Sequence, residues 1–221
     1  LEVTENTLYS SSVGYGWNSN PQGSRDRSIG NDLERDLIFD SQDRYFYVDV
    51  PNGKYELQIG LGDMSYSHDC MYVDVEGGPW DVFNASTQAG EIKWYTTTTI
   101  VDDGRLSILF RDTGCSNPHW TVVGIKLVSK PFTVCSVGCD YTSIQSAINN
   151  VPEGSTIIIK NGTYNENVII NKSISLIGEN PENTIINGDG TGNTVEIKAR
   201  SVTLQGFTIK NGNPHNVYFY W

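Results

Sequence analysis

The sequence predicts an all-β protein in two parts, a β-sandwich of jelly-roll type and then a short right-handed parallel β-helix with one capping helix. Three observations lead there. Gly numbers 22, and Tyr and Trp together reach 17 against 2 Met, a composition rich in turns and aromatics and poor in helix formers. Residues 1–130 alternate apolar and polar in short runs parted by polar turns. Residues 131–221 carry still shorter Ile/Val runs that recur with a period in the twenties.

In the first part, Arg44-Tyr45-Phe46-Tyr47-Val48-Asp49-Val50 alternates and stops at Pro51-Asn52-Gly53, and 54–61 returns as the second arm of a hairpin. Further strands are expected at 71–75, 95–101, 105–110 and 121–128, with Asp102-Asp103-Gly104 as a turn. Strands at this spacing describe a sandwich. In the second part residues 141–148 form the one expected helix. Thr142 and Gln145 suggest a capping box, Ile144, Ala147, Ile148 and Val151 an apolar face, and Pro152-Glu153-Gly154 a stop. Strands follow at 157–159, 168–170, 174–177, 184–186, 195–197, 202–204 and 207–209. The register is read from Ile174 to Val195 and from Ile185 to Phe207, giving two to three coils.

With 15 basic and 26 acidic residues the formal net charge is -11. No basic stripe is present to displace phosphate counterions, which argues against nucleic acid and equally against an anionic membrane surface. No apolar run approaches the roughly 20 residues of a membrane span. Leu1-Glu2-Val3-Thr4-Glu5 does not read as a signal peptide, which leaves a cytosolic protein, a mature secreted product or a fragment. The cysteines separate these. Cys70, Cys115, Cys135 and Cys139 lack C-x-x-C spacing and have three His for company, so two disulfides are expected rather than a zinc site. Cys70 and Cys115 are read as loop residues meeting across one rim, and Cys135 with Cys139 as closing a tight loop before the helix. Sequons at Asn84, Asn161 and Asn171 are candidate glycosylation sites. An extracellular or cell-surface location is expected.

From about residue 134 the chain resembles the pectin-lyase-like β-helix proteins. The resemblance rests on Cys135-Ser136-Val137-Gly138-Cys139-Asp140-Tyr141-Thr142-Ser143-Ile144, on Gly162-Thr163-Tyr164-Asn165-Glu166-Asn167-Val168, on Ile174-Ser175-Leu176-Ile177-Gly178-Glu179 and on Gly206-Phe207-Thr208-Ile209. The first 130 residues resemble the galactose-binding-like sandwich modules attached to agarases and rhamnogalacturonan-degrading esterases. Here the shared pieces are Leu8-Tyr9-Ser10 with Gly14-Tyr15-Gly16-Trp17, Arg25-Asp26-Arg27, Val50-Pro51-Asn52-Gly53-Lys54-Tyr55, Leu61-Gly62-Asp63, His68-Asp69-Cys70-Met71 and Asp112-Thr113-Gly114 with Trp120. Members of that group begin with a further strand, for which this chain starts too late. The resemblance also implies a structural Ca²⁺, for which Asp63, Asp69, Asp102, Asp103 and Asp112 offer oxygens without an ordered spacing.

Sugars are held by aromatic faces against C–H patches and by planar charged groups bonding paired hydroxyls. Trp17, Tyr66, Trp80 and Trp120 supply aromatics in or beside expected loops, and Arg25, Arg27, Arg35, Asp63, His68, Asp69 and Asp112 supply polar groups. Core packing competes with stacking for Trp17 and Trp120, and an ion pair with Asp32 or Asp36 competes with binding for Arg35. The carboxylates Glu166, Glu179, Glu182, Asp189 and Glu196 read as turn residues rather than catalysts, and no catalytic residue is assigned. The expected function is carbohydrate recognition by the loop rim of 14–36, 63–70 and 112–120, with a polysaccharide or glycan as partner. The alternatives are a surface-layer, sheath or filament subunit that self-associates through its open β-helix end, and a truncated polysaccharide-degrading enzyme.

Overall fold

A computed structural model of the chain describes residues 3–78 and 83–220. It contains two compact units, residues 1–51 with 55–129 and residues 52–54 with 130–221.

The first unit is built from β1 (Tyr15–Trp17), β2 (Gly23–Asp26), β3 (Asp36–Asp40), β4 (Arg44–Asp49), β5 (Gly53–Asp63), β6 (His68–Val75), β7 (Phe83–Thr87), β8 (Glu91–Val101), β9 (Arg105–Asp112), β10 (Trp120–Val122) and β11 (Gly124–Lys130). A five-stranded sheet of order β1-β4-β9-β6-β7 faces two three-stranded sheets, β10-β3-β2 and β11-β5-β8. The period-two alternation decides which side chains meet between the layers. Phe46 comes from β4, Leu106, Ile108 and Phe110 from β9, Met71, Val73 and Val75 from β6, and Leu57, Ile59 and Leu61 from β5, all buried. An aromatic cluster closes one end of this core. The Trp17 ring lies 4.9 Å from Phe46 and 5.8 Å from Trp120, and Phe110 lies 5.2 Å from Trp120. Trp120 Nε1 donates to the Gln42 carbonyl at 2.8 Å, which satisfies the polar edge of a buried indole.

The stretch 14–36, read from sequence as rim loop, in fact carries β1, β2 and the start of β3. Its strands are short and polar on one side, so the alternation is hard to see. Cys70 likewise sits in β6 rather than in a loop. It occupies a bulge with φ of 54°, where the register against β7 shifts, and it is bonded to Cys115.

The second unit contains β12 (Phe132–Val134), α1 (Ile144–Asn150), β13 (Thr156–Ile159), β14 (Gly162–Asn165), β15 (Val168–Ile170), β16 (Ser175–Gly178), β17 (Thr184–Asn187), β18 (Val195–Ile197), β19 (Thr203–Gln205), β20 (Thr208–Lys210) and β21 (Val217–Phe219). The strands form three parallel sheets, β12-β13-β16-β19, β14-β17-β20 and β15-β18-β21, a β-solenoid of about four turns. The sequence reading of two to three coils is therefore short, because β12 already serves as a rung before the first full coil. Its register also needs correction. Val195 stacks on Val168 and Ile185 on Thr208, whereas Ile174 is no rung partner of Val195. Loops of unequal length between strands make the repeat uneven, with 22 residues from Tyr164 to Ile186 but 27 from Val168 to Val195. Inward Ile and Val from successive coils stack as Ile157–Leu176–Leu204 and Val168–Val195–Val217.

The helix starts three residues later than expected, at Ile144 rather than residue 141. Ser143 is the N-cap and its Oγ accepts from the Ser146 amide at 3.1 Å, while Thr142 takes no part in a capping box. The Ile144 and Gln145 amides donate to the two Glu166 carboxylate oxygens at 2.9 Å each. Gln145 is used elsewhere. Its side chain accepts from the Ile169 amide at 2.7 Å and donates to the Ile169 carbonyl at 3.2 Å, pairing the free edge of β15 as another rung would. Cys135 is bonded to Cys139 just before the helix, with Cα atoms 5.5 Å apart.

Candidate functional site

The short sheet β10-β3-β2 presents one face on which Thr121 pairs with Phe39, Phe39 with Gly23, and Leu37 with Arg25. Arg25 and Arg27 are two residues apart and so project from the same side. The turn between β5 and β6 brings Asp63, Tyr66 and His68 to this face, and the segment before β10 brings Asn117 and His119. Together these residues line a cleft of about 320 Å³, at the small end of the roughly 300–1,000 Å³ usual for ligand pockets.

Asp63 anchors the cleft. It is 1% exposed, and Arg27 holds it bidentately, with Nε to Oδ1 at 2.8 Å and Nη2 to Oδ2 at 2.5 Å. The Ser65 amide donates to Oδ1 at 2.7 Å. Burial pushes the Asp63 carboxyl up, but the Arg27 fork, the Ser65 amide and His68 outweigh it and leave the group below its ordinary value. Gly62 lets Asp63 reach this position. Its φ is +129°, and a Cβ there would lie 2.2 Å from the Glu91 carbonyl oxygen.

His68 Nδ1 lies 3.0 Å from the His119 carbonyl. A carbonyl only accepts, so Nδ1 carries the hydrogen and Nε2 faces Asp63 Oδ2 at 3.5 Å. Aromatic surface completes the cleft. Tyr66 is 60% exposed, the Arg27 guanidinium lies 5.0 Å from its ring centre and the Arg25 guanidinium 4.7 Å from that of Phe39. Phe39 also meets His119 edge-on at 5.7 Å. The arrangement offers ring faces, fixed planar donors and no nucleophile with an adjacent base.

Of the residues proposed from sequence, Arg25, Arg27, Asp63, Tyr66 and His68 meet in this cleft. Asp69 acts one step behind it, accepting from the Ser116 and Asn117 amides at 3.1 and 2.9 Å and so holding the loop that carries Asn117. Arg35 is outside, paired bidentately with Asp26 and with neither Asp32 nor Asp36. Asp112 accepts from the Gly114 amide at 2.7 Å, in a turn. Trp17 and Trp120 are a correction. Both rings are buried in the aromatic core cluster and neither lines this cleft. Trp80 lies outside the described residues. Phe39, Asn117, His119 and Thr121 were missed, although the alternation Leu37-x-Phe39, which pairs with Gly23-x-Arg25, was a readable signal.

The five carboxylates considered for calcium do not come together, and among the described residues no three His, Cys, Asp or Glu side chains form a group able to hold a metal. Asp63 in particular spends its oxygens on Arg27 and Ser65. In the solenoid Glu166 caps the helix, Glu179 pairs with Lys160 at 3.0 Å, Glu196 pairs with Lys198 at 2.9 Å, and Asp189 accepts from Thr191 and Asn167. Asn84, Asn161 and Asn171 are all exposed. No helix among the described residues is long and apolar enough to cross a membrane.

A larger cleft of about 580 Å³ opens in the side of the sandwich, lined by core faces such as Tyr15, Trp17, Ile38, Phe46 and Leu127. Thr4, Ser24, Arg25, Asp26 and Asp36 also line it, so Arg25 stands between the two clefts.

No family model matches the chain. It is 36% identical over 115 residues to beta-agarase A of Zobellia galactanivorans, a match covering 50% of this chain and 21% of that protein. It is 37% identical over 75 residues to a cell surface glycoprotein of Methanothermus fervidus, covering 33% of this chain and 12% of that protein. The chain thus spans about a fifth or less of these relatives. Among solved structures, a family 35 carbohydrate binding module from Clostridium thermocellum aligns with a TM-score of 0.35 and 10% identity, over 56% of this chain and 98% of that one.

Proposed function

We propose that this chain is part of an extracellular surface protein whose β-sandwich recognises a glycan through the cleft between β2, β3 and the Asp63–His68 turn, without catalysis by this chain. The observation that carries the reading is the combination in one small cleft of an exposed Tyr66 ring with two guanidiniums, one of them locked by a buried carboxylate. Such a site is rigid before the ligand arrives, so little ordering cost is met on binding. The names of the two relatives, an agarase and a cell surface glycoprotein, agree with a polysaccharide-facing role, and the two disulfides agree with an oxidising compartment. A glycan array with the whole chain, run with calcium and again with a chelator, tests it. Binding is expected, to be lost in Tyr66→Ala and kept under chelation. Silence from folded protein across a broad array would refute it.

A further inference from the structure

We infer that the cleft selects anionic sugars, residues bearing a carboxylate or sulfate, and that Arg25 is the group that reads the charge. The inference rests on the glycan-binding reading above and narrows its ligand class.

The charge lining the cleft is lopsided. Two guanidiniums meet one carboxylate, in a protein whose net charge is -11. Asp63 and Arg27 cancel each other within their bidentate pair. Arg25 is different. One of its N–H groups donates to the Ser24 carbonyl at 2.7 Å, and its plane lies on the Phe39 ring. The carboxylates around it are engaged with other groups. Asp26 takes the Arg35 fork and the Ser28 amide, and Glu5, which feels the Arg25 charge, bonds to Ser24 and Asn6. A guanidinium has five donors in a fixed fork that matches the two oxygens of a carboxylate or sulfate. Arg25 therefore presents an oriented cation with most of its donors unspent, on the wall of a cleft that already supplies ring faces.

A neutral sugar seated here would cover the Arg25 charge without neutralising it, which weakens binding. An anionic sugar would turn the same desolvation into a charge-assisted pair. The volume of about 320 Å³ admits one or two pyranose rings.

The test uses the full chain and three probes differing only in charge: methyl galacturonoside, methyl galactoside 6-sulfate and methyl galactoside, titrated by NMR at low and high salt. At least one anionic probe should bind about tenfold tighter than the neutral one or better, and the advantage should shrink at high salt. Arg25→Gln should abolish the preference and Arg25→Lys should keep part of it, with the amide spectrum confirming the fold of each. Which anionic probe wins separates carboxylate from sulfate. Equal affinity for all three, or a preference that survives Arg25→Gln, overturns this inference and leaves glycan binding standing. Absence of binding by these probes and by the whole array overturns both.

Discussion

Replacing Asp63 with Asn probes the anchor of the cleft directly. The carboxylate is almost fully buried and the Arg27 side chain is 19% exposed, so the substitution leaves a mostly buried guanidinium without its counter-charge. Breaking a buried pair from one side costs about 3–5 kcal/mol, and the remaining exposure of Arg27 places this case near about 3 kcal/mol. For a unit of this size each kcal/mol is worth about 3–5 °C, so the sandwich transition should fall by about 10 °C in calorimetry. The double variant with Arg27→Gln should recover at least about 1 kcal/mol relative to the sum of the singles, because neither charge is then stranded. The pH dependence has a definite sign. The folded carboxyl lies below its unfolded value of about 3.9, so the pair stabilises the fold above pH 4 and this contribution is lost as pH falls through the folded value. The deficit of Asp63→Asn should therefore be largest near neutrality and shrink below pH 4. A deficit under about 1 kcal/mol at pH 7, or strictly additive singles, would refute the account of Asp63 as an anchor.

Reducing Cys70–Cys115, which spans 45 residues, should cost about 4 kcal/mol from chain entropy, against about 2 kcal/mol for Cys135–Cys139, which spans 4. Urea titration of the two Cys→Ser pairs measures the difference. Glu166→Ala should destabilise the solenoid by about 1–2 kcal/mol by freeing two amides at the start of α1, with faster hydrogen exchange at Ile144 and Gln145 as the local readout. Gly178→Ala should cost more than about 2 kcal/mol in the same titration, since its Cβ would stand 2.0 Å from the Gly206 carbonyl oxygen in the next coil.

The two architectures were legible because each writes its own period into the sequence. Alternation in 44–50 and 54–61 is the signature of strands with one face in a core, and β4 and β5 appear where it says. The solenoid was legible from Ile/Val runs between Gly and Asn turns, but its register was not. Three strands per coil with loops of different length offer several ways to align one Ile with another. Helix capping failed for a related reason. The local pattern Thr142-x-x-Gln145 was satisfied on paper, yet Gln145 gains two backbone hydrogen bonds by closing the β15 edge, and the distant Glu166 supplies the acceptors the helix start requires.

The site was half legible, and the half that failed shows what sequence can carry. Trp17 and Trp120 attracted a binding role because a Trp beside a loop is the common sugar platform. Both sit next to short strands, however, and a short strand in a sandwich places its largest side chain in the core, where the indole closes the end of the layer. Arg25, Arg27, Asp63 and His68 were chosen as polar groups and do converge. What joins them is the face of the β2–β3 ribbon, where Arg25 of β2 stands opposite Leu37 of β3 and its guanidinium lies over the ring of Phe39. A strand that alternates charge with apolar residues normally sends the apolar side inward. When the charges of one strand share a face with the rings of its neighbour, the glycan-binding proposal has its physical ground, because such a face suits a ligand with both C–H and hydroxyl or anionic character.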